Sequence, residues 1–163
     1  MEQLCIFPGS FDPFTRGHEQ IARRAAELFG RVVVLLAKNA DKHAFFTDDE
    51  RLCLARASLK DDPRISVKLW QGMVADAARE LGASVIVRGV RDSADLSAEK
   101  RYADAMRAFG APEVVLLCET GEFSFVSSTL VRELIACGGD YAAFLPEGAR
   151  GEMRRILDKK KAE

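Results

Sequence analysis

The chain has 163 residues, a length at which one domain with its own hydrophobic core is the usual outcome. Hydrophobic residues make up 48% and charged residues 30% of the sequence, a composition that excludes a disordered chain. Because the formal net charge is only -1 at pH 7, there is no general excess of Lys and Arg to attract nucleic acid or an anionic membrane, and we expect neither as a partner.

Short apolar runs rich in β-branched residues alternate along the chain with segments of helical periodicity. Five strands are predicted, at 4–7, 32–37, 65–70, 85–87 and 114–117. Six helices are predicted, at about 17–29, from Thr47 onwards, at about 74–81, through Tyr102 to Phe109, at about 130–136 and at about 146–159. This alternation predicts a parallel sheet with helices on both faces, so we expect a doubly wound five-stranded α/β fold with C-terminal helices, as a single domain over residues 1–163.

Local signals define the ends of two of these helices. Thr15 is the expected N-cap of the first helix, which should bury its apolar face, and Thr47 to Glu50 form a capping box at the start of the second. The apolar face of the first helix is predicted to contain Ile21, Ala25, Leu28 and Phe29.

The four cysteines, Cys5, Cys53, Cys118 and Cys137, form no Cys-x-x-Cys pair and lie mostly within apolar runs. We therefore expect reduced cysteines in the core of a cytoplasmic protein. Two histidines are too few for a structural zinc site to be expected. No apolar run approaches the length of a membrane span, and the N-terminus has no basic segment leading into a long apolar region.

The segment after the first strand has the residue types of a phosphate site. Gly9 permits a tight turn, and the free N–H groups at the start of the following helix, where His18 stands, can bind an anion. Such a turn with a lone histidine is, taken alone, more typical of a simple strand-to-helix connection. The full string Pro-Gly-Ser-Phe-Asp-Pro followed by Thr-x-Gly-His makes a functional role the better interpretation.

Two further segments could bind phosphate. Arg88 and Arg91 leave the carboxyl end of the fourth strand, where each guanidinium could grip a phosphate, although pairing with Asp92 or Asp95 is an equally good interpretation of the arginines alone. The hydroxyl-rich segment Ser124–Thr129 precedes a helix and offers either a plain N-cap or a phosphate site.

In this combination and order, the motifs resemble the nucleotidyltransferase superfamily, and the phosphopantetheine adenylyltransferases in particular. The resemblance extends from Phe7 to Pro146, and Ser10 stands where the family usually has threonine. It implies a Rossmann-like nucleotidyltransferase fold and a reaction in which AMP passes from ATP to 4′-phosphopantetheine, giving dephospho-coenzyme A and pyrophosphate.

The resemblance also implies site residues. His18, Ser10, Lys42 and Arg91 would be catalytic, with His18 stabilising the transition state. The ATP site would comprise Ser10, Phe11, His18, Gly89, Val90, Arg91, Glu99, Phe123, Ser124, Phe125, Val126, Ser127, Ser128 and Thr129. The phosphopantetheine site would comprise Ser10, Lys42, Val74 and Arg88.

Further properties are expected only from the resemblance. The cofactor would be Mg²⁺, held mainly by the phosphates of ATP and not by protein side chains. The family implies a homohexamer and feedback inhibition by coenzyme A.

Other functions fit parts of the same pattern. A nicotinamide mononucleotide adenylyltransferase or a cytidylyltransferase shares the first motif, whereas the segment from Arg88 to Glu99, together with Lys42, favours phosphopantetheine. A non-catalytic sensor of ATP or coenzyme A is less expected because His18 and Arg91 are both present. A structural α/β domain without a ligand would require several matched phosphate-binding segments to be coincidence.

Overall fold

The structure, a computed structural model, describes residues 3–38 and 44–162. Five strands and six α-helices follow one another in this part of the chain. The strands are β1 (Gln3–Gly9), β2 (Gly30–Ala37), β3 (Ile65–Trp70), β4 (Val85–Val90) and β5 (Glu113–Cys118). The helices are α1 (Arg16–Phe29), α2 (Asp48–Leu59), α3 (Val74–Leu81), α4 (Ser93–Ala108), α5 (Ser128–Cys137) and α6 (Glu147–Ala162). All the predicted elements are confirmed. Their ends differ by a few residues except at α4, which begins at Ser93, nine residues before Tyr102.

The five strands form one parallel sheet in the order β3-β2-β1-β4-β5. The chain therefore proceeds outwards from β1 on one side and returns to begin again with β4 on the other. Parallel sheets of this kind bind ligands where the strand order reverses, beyond the carboxyl ends of the strands. In this fold that point lies between β1 and β4, which pair through Cys5 with Val85 and Ile6 with Ile86.

Helices cover both faces of the sheet, as the near-continuous apolar strands predict. On one face, Phe7 and Val87 pack with Ile21 and Ala25 of α1. On the other face the core includes Ile6, Val33, Ala78 of α3 and Met106 of α4. The doubly wound α/β prediction is thus confirmed.

A third apolar cluster joins the C-terminal helices to the rest of the fold. Leu54 of α2, Val131 of α5 and Met153 of α6 are all fully buried in it. The backbones of α2 and α6 approach closely, because a Cβ atom at Gly148 would lie 2.2 Å from the carbonyl oxygen of Ala57. Only glycine fits this contact, which fixes α6 against α2.

The predicted helix starts are confirmed in detail. Thr15 and Thr47 are the N-caps of α1 and α2, and each forms a capping box with the third residue of its helix, His18 and Glu50 respectively. Among the described residues, no helix is both long and apolar enough to span a membrane.

Two expectations about the core are wrong. Only Cys5 is buried, whereas Cys53, Cys118 and Cys137 are exposed, because an apolar run does not reveal which face of its element meets the core. All four are free thiols. Leu28 is also exposed, since the buried stripe of α1 is centred about a quarter turn away, on Ala22 and Ala25.

Candidate active site

A cleft of about 550 Å³ lies at the carboxyl ends of β1 and β4. It is lined by the end of β1, the first turn of α1, the ends of β2 and β4, the first half of α4, and the starts of α3 and α5. Of the predicted site residues, twelve line it: Ser10, Phe11, His18, Val74, Arg88, Gly89, Arg91, Glu99, Val126, Ser127, Ser128 and Thr129. Segments far apart in the sequence therefore meet at the point where the strand order reverses.

His18 is held by the capping box of α1. Its Nδ1 atom accepts a hydrogen bond from the backbone N–H of Thr15 at 3.0 Å, and the Thr15 hydroxyl lies 3.1 Å from the same atom. Because a neutral imidazole has one acceptor and one donor nitrogen, the proton of His18 lies on Nε2. The helix cap thus fixes both the ring and its tautomer.

The surroundings of His18 keep it neutral. The rings of Phe11 and Phe14 lie 5.0 and 5.4 Å from the imidazole, measured between centroids. Burial among these rings lowers the pKa of His18 to about 3, and the positive charges of Arg91 and Arg88 add to the effect. Near pH 7 the residue can therefore donate a hydrogen bond without carrying a charge.

Arg88 is fixed by three partners in the cleft wall. Its Nε and Nη2 atoms donate to the two carboxylate oxygens of Glu99 at 2.7 and 2.6 Å, and Nη1 donates to the Pro8 carbonyl at 2.7 Å. The guanidinium also lies over the ring of Tyr102, 4.7 Å from its centroid. Such a bidentate, stacked arrangement orients the guanidinium, and lysine could not reproduce it.

Arg91 pairs with a different carboxylate, that of Asp95. The Nε–Oδ2 distance is 2.7 Å, and Nη2 lies 3.2 Å from Oδ1. This hydrogen bond holds the pKa of Asp95 below its usual range, so the carboxylate is ionised. Pairing with Asp95, one of the interpretations left open by the sequence, therefore occurs within the cleft lining and not on a remote surface.

The start of α5 presents hydroxyls and amides to the cleft. Ser127 is the N-cap, since its hydroxyl accepts from the Leu130 N–H at 3.1 Å, and the Ser128 hydroxyl donates to the Pro13 carbonyl at 2.8 Å. The first N–H groups of a helix have no partner within the helix. Those of Ser128 and Thr129 are therefore available to an anion in the cleft.

The backbone carbonyl of Ser10 is held by a buried arginine, Arg51. Arg51, only 3% exposed, donates to the Ser10 carbonyl and to a carboxylate oxygen of Asp48. Next to it, the carboxylate of Asp12 accepts from the backbone N–H groups of Phe45 and Phe46 at 2.7 and 2.9 Å. The loop after β1 is thus held against the start of α2.

Some predicted site residues lie elsewhere. The side chain of Val90 is buried, and Phe123, Ser124 and Phe125 do not line the cleft. Arg16 stacks on Phe123, with the guanidinium carbon 3.9 Å from the ring centroid. Lys42 lies outside the described residues.

The cleft lining also contains ionisable residues that sequence reasoning did not assign to the site: Lys38, Asp95, Tyr102 and Glu119. Lys38 directly follows β2 and Glu119 directly follows β5. Their positions beyond the carboxyl ends of parallel strands are the signal that could have identified them. Tyr102 carries no such signal, because its place is set by the packing of α4 on the sheet.

Comparison with known sequences identifies the class of protein that this fold and cleft represent. The sequence model of the cytidylyltransferase-like family matches residues 6–134, from β1 into α5. The match covers most of the chain and every described segment of the cleft, so the chain belongs to the cytidylyltransferase-like family.

Individual relatives narrow the assignment. A Lactobacillus helveticus protein is 41% identical over 163 residues, covering 98% of this chain and 99% of the relative. Proteins of Methylobacillus flagellatus and Flavobacterium psychrophilum are 44% and 39% identical, covering 89% and 90% of this chain and 92% and 97% of the relatives. All three are named phosphopantetheine adenylyltransferase. The chain belongs to the phosphopantetheine adenylyltransferase family, which confirms the resemblance drawn from the motifs.

Proposed function

We propose that this protein transfers AMP from ATP to 4′-phosphopantetheine, giving dephospho-coenzyme A and pyrophosphate. The observation that carries the proposal is the position of a neutral imidazole, His18, in a cleft with Arg88, Arg91 and the amide-rich start of α5. Family membership supplies the acceptor.

The reaction needs stabilisation of charge more than removal of a proton. The acceptor phosphate, with a second pKa of about 6, is already ionised near neutral pH and can attack the α-phosphorus of ATP directly. The new P–O bond forms as the bond to pyrophosphate breaks, and negative charge accumulates on the oxygens of the α-phosphoryl group. Preorganised hydrogen-bond donors aimed at that charge provide the catalysis.

We assign that donation to His18 Nε2–H. Its fixed tautomer provides the donor without a preceding proton transfer, and its lowered pKa keeps the donor in the same form across the working pH range. In this proposal Arg91 and the amides of Ser128 and Thr129 hold the departing pyrophosphate.

The acceptor phosphate is assigned to Arg88, Ser10 and Lys42, with Val74 beside the pantetheine arm. Arg88 suits this task because Glu99 and Tyr102 already orient its guanidinium. This assignment gives Glu99 a positioning role through Arg88, in place of the direct contact with ATP that the resemblance implies.

Magnesium would enter the site with ATP. Asp95 and Glu99, two carboxylates of the cleft, are both engaged by arginines, and the described residues contain no group of three or more side chains suited to a metal ion. As the resemblance implies, the phosphate oxygens of ATP would supply most of the ligands, and the bound ion would neutralise part of their charge.

The remaining properties of the family are also proposals for this chain. We expect a cytoplasmic homohexamer that coenzyme A inhibits by occupying the acceptor site. Large apolar side chains exposed on the single chain, among them Leu28, Leu96 and Phe109, favour burial against further copies.

The direct test is pyrophosphate release from magnesium–ATP with 4′-phosphopantetheine, beside nicotinamide mononucleotide and a control without acceptor. Release with phosphopantetheine alone supports both reaction and acceptor. Release with the mononucleotide would support adenylyl transfer but contradict phosphopantetheine as the acceptor. ATP binding without pyrophosphate release under any condition would favour a nucleotide sensor.

A further inference from the structure

Glu119 is a carboxyl group of the cleft wall to which the mechanism above gives no task. It directly follows β5, and its backbone N–H donates to the Val90 carbonyl at 2.8 Å. The next residue, Thr120, is fixed by the side chain of Gln20, which donates to its carbonyl at 2.8 Å and accepts from its N–H at 3.0 Å. The backbone on both sides of Glu119 is therefore held in place.

The carboxyl group of Glu119 lies over two glycines of the site. A Cβ atom at Gly17 would lie 2.8 Å from Oε2, and one at Gly89 would lie 3.4 Å from Oε1. Gly17 is in the first turn of α1 next to His18, and Gly89 is next to Arg88 on β4. The carboxyl group needs the absence of a side chain at Gly17, whereas 3.4 Å at Gly89 is an ordinary contact distance. Both glycines place the carboxyl group beside the reversal point of the sheet.

One oxygen of this group has no partner. Oε2 is buried and forms no hydrogen bond among residues 3–38 and 44–162. A buried acceptor without a donor costs free energy, and such atoms are rare in folded proteins. Because Glu119 lines the cleft, a rotation of its side chain can bring this oxygen to a ligand that supplies the missing donor.

Charge determines which part of the ligand lies there. The phosphates of ATP are repelled by a carboxylate, whereas Arg91 and the start of α5 attract them. The hydrogen-bond donors of ATP are its 6-amino group and its two ribose hydroxyls, and all of them lie on the nucleoside.

Building on the adenylyl transfer proposed above, we propose that Glu119 is a specificity residue whose free carboxylate oxygen accepts a hydrogen bond from the nucleoside half of ATP. The contact selects nucleotides that carry a donor at the matching position. It also orients the nucleotide. Arg91 and the start of α5 attract its phosphates, while Glu119 accepts a hydrogen bond from its nucleoside.

The protonation behaviour of Glu119 agrees with this role. Burial raises its pKa to about 7, the charge of Arg91 opposes the rise, and that of Asp95 adds to it. A ligand donor stabilises the ionised form, so a bound nucleotide would favour the carboxylate.

A nucleotide panel tests the proposal. ATP is compared with inosine triphosphate, which lacks the 6-amino group, and with 2′-deoxy-ATP and 3′-deoxy-ATP, which lack one hydroxyl each. The wild-type protein should bind one of these analogues about 10–100-fold more weakly than ATP. Glu119→Ala should weaken ATP binding by a similar factor and bind that analogue as it binds ATP, while discrimination against the other two is unchanged.

Two further variants complete the experiment. Glu119→Gln keeps the shape and an acceptor oxygen, so it should retain part of the discrimination. Glu122→Gln, an exposed carboxyl in the same segment, should behave as wild type. Discrimination in folded Glu119→Ala and Glu119→Gln equal to that of the wild type would overturn the proposal.

Affinities are measured by calorimetry as well as from KM in pyrophosphate release. If the wild-type protein releases no pyrophosphate with any acceptor, adenylyl transfer is wrong, yet the calorimetric panel still decides whether Glu119 selects the nucleoside.

Discussion

The two walls of the cleft hold their polar groups by different means. On the wall formed by β1 and α1, His18 is fixed by a residue three positions earlier, through the backbone N–H of Thr15, and is surrounded by aromatic rings. On the wall formed by β4 and α4, Arg88 and Arg91 are each fixed by a carboxylate, Glu99 or Asp95. The first wall presents a neutral hydrogen-bond donor of fixed geometry. The second wall presents two guanidinium groups whose orientation depends on their ion pairs.

This difference separates two tasks that one site must perform. A donor for the transition state must not change its protonation with pH, and a helix cap in apolar surroundings achieves that. Side chains that bind phosphates do so best when they are positively charged, and the paired carboxylates orient the arginines while offsetting part of that charge. Variants on the two walls should therefore affect different measured quantities.

The largest effect expected is on the proton affinity of His18. Because its pKa lies at about 3 instead of 6.5, the proton affinity of the ring should be lower by about three orders of magnitude. Nitrogen NMR of the imidazole should show the Nε2–H tautomer, unchanged from pH 8 to pH 5. A His43→Gln variant leaves one imidazole and makes the assignment unambiguous. Titration of His18 near pH 6.5 would contradict the account of the first wall.

Removal of the imidazole should have the next largest effect. His18→Ala deletes a preorganised donor, which typically lowers kcat by about 10²–10³, while KM for both substrates changes little. Thr15 still caps α1 through its hydroxyl, so the variant should fold. Glu27→Gln, at an exposed position near the other end of α1, is the control and should keep wild-type kcat. A folded His18→Ala protein with wild-type turnover would exclude the proposed donor role.

The fold was predictable because its signals are local. Apolar runs, caps and glycines define each element within a few residues of sequence, and the parallel topology follows from their alternation. Thr15 and His18 are only three residues apart, so their sequence positions already placed the histidine in the first turn of α1.

The pairing of Arg91 with Asp95, four residues away, was among the interpretations of the sequence, but the partners of Arg88 could not be predicted in the same way. Eleven positions separate Arg88 from Glu99, and Arg88 meets Tyr102 only because α4 packs back on β4. The carboxyl group of Glu119 lies against two glycines that are distant in sequence, Gly17 and Gly89. Such contacts are properties of the assembled fold and leave no spacing pattern.

Glu99→Gln and Asp95→Asn should distinguish the two ion pairs of the second wall. Loss of the Glu99 charge loosens Arg88, so KM for phosphopantetheine should rise about tenfold while KM for ATP changes little. Asp95→Asn loosens Arg91 and should instead raise KM for ATP several-fold. Steady-state kinetics with each substrate varied provide the measurement. A rise in KM for ATP alone in Glu99→Gln would instead support the direct ATP contact implied by the resemblance.

The smallest effect expected is on stability, and it concerns Glu119. Its pKa is about 7 in the folded protein and 4.5 for an unperturbed glutamate, so the folded state binds more protons between these pH values and loses stability as the pH rises from 4.5 to 7. Glu119→Gln removes this loss. The variant should match the wild type near pH 4.5 and be more stable above pH 7, by about 1 kcal/mol once partial solvent exposure is taken into account. Urea unfolding at pH 4.5, 6 and 8, without nucleotide, measures the difference, and a constant offset across this range would show that the carboxyl group is paired and not waiting for a ligand.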